Sequence, residues 1–89
     1  MLNSEKVTLL TNTAVKILEQ LSMETQGMPL KQLQEKCHFS KGLKREIKNN
    51  FTKCYINNIC ELLDIFNIRL SDFMVMLEDE LGENFSIRD

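Results

Sequence analysis

Chain-breaking residues are scarce: one proline and three glycines stand among 89 residues. A many-stranded sheet needs a turn every few residues, and turns draw on Gly and Pro. Between the breakers, apolar residues return at three- and four-residue steps. Val7, Leu10, Ala14, Leu18 and Leu21, widened by Ile17, trace one face of a helix. The spacing predicts an all-α chain, with helices over about 4–24, 29–37, 41–49, 53–66 and 71–81 and a tail over 82–89. A chain this short makes one small domain with a modest core, and pairing with a second copy would help its stability.

The punctuation fits these boundaries. Asn3 or Ser4 can cap the first helix, with Glu5 near its positive end. Gly27 suits the left-handed position past its end. Pro29 is tolerated at the second helix's start, where its missing N–H is not needed. Leu30, Leu33 and Cys37 form that helix's buried stripe, and His38-Phe39 ends it. Ser40 caps the third helix, whose apolar side is only Leu43 and Ile47, with Phe51 one turn on. Such a stripe meets the core on one side and leaves the other for water or a polar partner. Thr52 is a cap for the fourth helix, which carries Cys54 or Tyr55, Ile56, Ile59, Cys60, Leu63 and Phe66. Ser71 is a cap for the fifth, with Asp72 in its first turn. That helix buries Phe73, Met74, Leu77 and Leu81, with Met76 at the edge, and Gly82 ends it.

Several function classes drop out. No run of 18 apolar residues exists to span a membrane. The start MLNSEKVTLL holds an acid and only a short apolar patch, unlike a secretory signal. Cys37, Cys54 and Cys60 are odd in number and lack C-x-x-C spacing, which gives neither a disulfide framework nor a zinc site. Reduced thiols in a cytoplasmic protein are the expectation. His38 is the sole histidine, and its neighbour Cys37 would point about 100° away on a helix. No glycine-rich phosphate loop or metal-ligand spacing appears, so no enzyme activity, metal or cofactor is expected.

The net charge of −2 conceals a strong separation. Residues 31–60 hold seven basic side chains against Glu35 and Glu46, a balance of +5. Residues 1–30 sum to −1, and residues 61–89 hold eight acids against Arg69 and Arg88, giving −6. The basic block coincides with the second and third helices and the loop after them. A concentration of this kind is the electrostatic footprint of a face that meets a polyanion. Lys44, Arg45, Lys48, Asn49 and Asn50 are donor-rich types that meet phosphates, guanine edges and adenine edges.

The segments GMPLKQLQEKCHFSKGLKREIKNN and TKCYINNICELLDIFNIRLSDFM together resemble the Cro/C1-type (XRE) helix-turn-helix DNA-binding domain. Leu30, Leu33 and Ser40 match that family's second helix and recognition-helix cap. Ile59, Leu62-Leu63 and Ile68-Arg69-Leu70-Ser71-Asp72-Phe73 match its later part. Glu35 or Gln34 stands where the family has a small Ala, and Leu43 lies one place earlier than its first buried recognition-helix residue. The ending SDFMVMLEDELGEN is similar to small phage helix-turn-helix proteins found with anti-CRISPR operons.

The resemblance implies a compact five-helix, lambda-repressor-like domain. Its activity would be sequence-specific binding of double-stranded DNA, as a homodimeric repressor or autorepressor on an inverted repeat. The third helix would enter the major groove, with Ser40, Lys41, Lys44, Arg45 and Lys48 on phosphates and bases and Lys44 and Arg45 on base edges. Lys31 and Gln32, and then Asn49, Asn50 and Lys53, would hold backbone phosphates. Met74, Met76, Leu81, Phe85 and Ile87 would carry the dimer contact. The alternative is a protein-binding module on the same scaffold. In it, the acidic fifth helix and tail would act as an anti-CRISPR inhibitor's nucleic-acid mimic against a basic CRISPR effector, or as an antitoxin's face for its toxin.

Overall fold

The computed structural model describes residues 3–87. Among them the chain forms five helices and no strand: α1 Ser4–Gln26, α2 Leu30–Lys36, α3 Lys41–Lys48, α4 Ile56–Phe66 and α5 Leu70–Leu81. Arg88 and Asp89, the end of the expected tail, lie outside the described residues. The body measures 41 × 23 × 17 Å, and its long axis suits the 23-residue α1, about 34 Å at 1.5 Å per residue. No described helix is long and apolar enough to cross a membrane.

α1 is the spine: α5, α4 and α2 all pack on it, and α3 packs on α2. Asn3 caps it, its side chain accepting from the amides of Glu5 (2.9 Å) and Lys6 (3.2 Å). The helix runs two residues past the expected end. Gly27 takes a left-handed φ of 74° and donates its N–H to the Met23 carbonyl at 3.0 Å, so the last turn closes there. Ala14, Ile17, Leu18 and Leu21 are buried, but Val7 is 36% exposed. The apolar stripe therefore meets the core from Ala14 onward.

α2 has no side-chain cap of its own, and Pro29 sits at the cap position rather than inside the helix. Glu19 of α1 supplies the missing acceptor, taking the Leu30 amide at 3.3 Å. Ser22, fully buried, donates to the Met28 carbonyl at 2.6 Å. The α1–α2 corner is thus held by two polar side chains from α1. Between α2 and α3 the ring of Phe39 is 2% exposed. This turn residue is a core anchor, where the sequence marked only a helix end.

α4 begins at Ile56, three residues later than expected, and Thr52 does not cap it; Tyr55 holds the cap position without a side-chain bond. The cause is the α3–α4 connection. Asn50 (φ 57°) and Phe51 (φ 52°) are both left-handed, which for a non-glycine residue costs about 1–2 kcal/mol. Burial of the Phe51 ring and a 2.7 Å bond from its amide to the Glu46 carbonyl offset that cost. Glu46 also accepts the Lys53 amide at 3.3 Å, which keeps residues 52–53 out of the helix. Ile56 is 53% exposed, whereas Ile59, Leu62, Leu63 and Phe66 form the buried side.

α5 begins at Leu70, with Arg69 at the cap position and Ser71 inside the first turn, so Ser71 is not its cap. Left-handed Asn67 (φ 57°) closes α4, and the Ile68 amide returns to the Leu63 carbonyl at 3.0 Å. The chain re-enters helix one residue early as a result. Only Phe73 of α5 is fully buried. Met74, Met76 and Leu77 pack against the core partly exposed, and Leu81 is likewise half-buried.

Candidate nucleic-acid interface

The short third helix is amphipathic in an unusual sense: a narrow apolar face and a wholly cationic one. Ser40 caps it by accepting the Leu43 amide at 3.2 Å. Leu43, Glu46 and Ile47 point inward and are buried. Lys41, Lys44, Arg45 and Lys48, spaced i, i+3, i+4 and i+7, are all exposed and share the opposite face. On α2, Leu30 and Leu33 are buried, and Lys31 and Gln34 fall on one side of that pair. Lys31, Gln34, Lys41, Lys44, Arg45 and Lys48 line one open groove of about 620 Å³ between the two helices. No acid lines it. Glu46, which offset the basic block in sequence, is 7% exposed and turned into the protein.

Five of the expected DNA-contacting residues thus converge: Lys31, Lys41, Lys44, Arg45 and Lys48. The others do not. Gln32 is exposed on α2 but off the groove. Asn50 lines a separate recess with Val7, Thr8, Asn12 and Phe51, against α1. Asn49 and Lys53 are exposed in the turn and loop after α3. Ser40 is occupied: its amide donates to Glu61 Oε2 at 2.7 Å and its hydroxyl to Glu61 Oε1 at 2.6 Å.

Gln34, Glu46 and Glu61 escaped the sequence reading. Gln34 was within reach, because it lies three residues from Lys31 on the same helical face. Glu61 was not: its partner Ser40 is 21 positions away. Glu46 looked like one more surface charge. Its burial leaves a trace on Cys54, whose thiol is pushed above its ordinary value of 9.0 by desolvation and then by the Glu46 charge. Cys37, Cys54 and Cys60 are free thiols.

The expected dimer residues occupy a mixed position. Met74, Met76, Leu81, Phe85 and Ile87 are all half-buried, and the two methionines pack on the protein's own core. The Ile87 carbonyl accepts the Asn3 amide at 3.0 Å, which lays the tail against the start of α1. The large apolar side chains most open to solvent near this end are Val75 (57%) and Leu70 (40%) of α5.

Among the described residues no group of three or more His, Cys, Asp or Glu side chains is arranged to hold a metal ion. No family model, curated protein or solved structure matches the chain, so the reading of the basic groove rests on its own geometry.

Proposed function

We propose that this chain is a sequence-specific DNA-binding regulator of the five-helix Cro/C1-type helix-turn-helix architecture, acting as a homodimeric repressor. The observation that carries the reading is the α2–α3 pair. Two short helices joined by residues 37–40 present one acid-free cationic groove. α3 is the reading helix: its inner face is anchored by Leu43 and Ile47, and its outer face offers Lys44 and Arg45 to base edges in the major groove. Lys31, Lys41 and Lys48 sit on phosphates flanking it, with Gln34 in place of Gln32 as the polar contact from α2. α5 and the tail carry the two-fold contact, with Leu70 and Val75 adding to the half-buried Met74 and Leu81. A two-fold pair places the reading helices on half-sites about one DNA turn apart, roughly 34–36 Å.

Selection from a pool of random duplexes tests this. The expected result is an enriched inverted repeat with half-sites centred about 10 base pairs apart. Recovery of no common sequence would remove the regulator reading.

One observation favours a second reading, a protein-binding module. Glu78, Asp79 and Glu80 crowd the last turn of α5 with no basic residue among them, at the helix end that favours cations. Acids placed against the helix dipole fit a face shaped for a basic partner, as in an anti-CRISPR inhibitor or an antitoxin. Their replacement by Gln would raise the thermal midpoint and leave DNA selection unchanged under the first reading. Under the second it would abolish partner capture.

A further inference from the structure

Ser40 and Glu61 form a closed unit at the head of α3. Glu61, half-buried on α4, uses one carboxylate oxygen for the Ser40 amide and the other for the Ser40 hydroxyl. That hydroxyl in turn accepts the Leu43 amide. The chain Glu61–Ser40–Leu43 therefore ties the first turn of α3 to α4. It also sets a full negative charge at the positive end of the reading helix, beside the first-turn cation Lys41. A helix start with amides lacking intrahelical acceptors is otherwise a ready seat for phosphate.

We infer that Glu61 is a positioning and specificity residue: it aims α3, and its charge keeps DNA phosphate off the head of that helix. The inference rests on the DNA-binding reading above and adds a residue and a role to it. A phosphate seated on helix amides is bound alike whatever the base sequence. Blocking that seat lowers sequence-independent affinity and leaves binding to depend on the outward side chains of α3. The groove itself holds no acid, so the carboxylate at the head of α3 is Glu61's.

Two variants separate aiming from charge. Glu61→Gln removes the charge and keeps a side chain of the same length that can still accept the Ser40 amide. Ser40→Ala keeps the charge and removes the hydroxyl link. Thermal melts establish that both fold, and fluorescence anisotropy then measures binding to a random-sequence duplex and to the selected site. Glu61→Gln is expected to bind random duplex about twofold tighter at 0.1 M salt, as for one unit charge removed about 6 Å from a phosphate in water and screened over about 10 Å. Its ratio of specific to random affinity should fall by that same factor, with affinity for the selected site unchanged. Ser40→Ala should weaken binding to the selected site without tightening binding to random duplex.

Equal weakening of both duplexes by both variants would overturn the inference, because a merely structural role predicts that result. An unchanged ratio in Glu61→Gln would overturn it as well. If the wild-type chain selects no site, the regulator reading falls by itself. The random-duplex arm then decides alone: tighter binding by Glu61→Gln sustains the charge effect, and unchanged binding removes it.

Discussion

Glu46 and Cys54 show how far a residue's role can depart from its type. Glu46 belongs by composition to the surface, yet it is buried and accepts the Lys53 amide. Burial of Cys54 itself, and then the Glu46 charge, pushes its thiol pKa up. A group whose folded value is raised contributes stability that is fully present below its unfolded value and is lost as pH rises through the folded one. Stability should therefore hold to about pH 9 and then decline. Urea unfolding at pH 8 and pH 10 should show a smaller decline in Cys54→Ala than in the wild type; equal declines would remove Cys54 as a source. Gly42 gives a prediction of the opposite sign. A Cβ added there would meet only Asn58 Oδ1 at 3.8 Å, an ordinary contact, and Gly42 has no left-handed φ. Gly42→Ala should stabilise the protein by about 0.5–1 kcal/mol, read as a rise in thermal midpoint.

At the scale of elements, packing is uneven. α5 has one fully buried side chain, Phe73. Phe73→Ala should cost about 3–5 kcal/mol, a large part of the 5–15 kcal/mol that keeps a domain folded. Amide hydrogen exchange should show α5 losing protection before α2 and α3. Equal loss along the whole chain would mean α5 is not a separable unit. The ion pair from Lys16 to Glu80 of α5, at 3.3 Å, is exposed on both sides and adds little. The elements themselves were legible in the sequence because each has its own apolar spacing and breaker. Gly27, Ser40 and Gly82 act where they were expected. Thr52 and Ser71 did not, because a good cap residue is only a permission. Left-handed Asn50, Phe51 and Asn67 set the true starts of α4 and α5, and the burial and long-range bonds that support such backbone are tertiary. The cationic side chains of α3 were readable from their i, i+3, i+4 and i+7 spacing. The inward turn of Glu46 and the Ser40–Glu61 link were not, since nothing local encodes a partner 21 residues away.

The whole molecule is an electrical contrast built on a scaffold that α1 holds together. A balance of +5 over residues 31–60 and −6 over residues 61–89 becomes a cationic groove on α2 and α3 and an acidic end on α5. Net charge alone points away from nucleic acid; the fold gathers five of the seven cations along one groove and buries Glu46, while Glu35 stays exposed on α2 off the groove. If α5 carries the two-fold contact, sedimentation should give a dimer for the wild-type chain, and Leu70→Glu with Val75→Glu should give a folded monomer. A wild-type monomer at every concentration would remove that contact. In the proposed function the outward face of α3 is the DNA-reading surface. Affinity for a selected duplex across about 50–200 mM salt, wild type against Lys44→Ala/Arg45→Ala, tests this. Loss of site preference is expected in the double variant, with a salt slope close to that of the wild type, because Lys31, Lys41 and Lys48 keep the phosphate contacts. Retained site preference would contradict it.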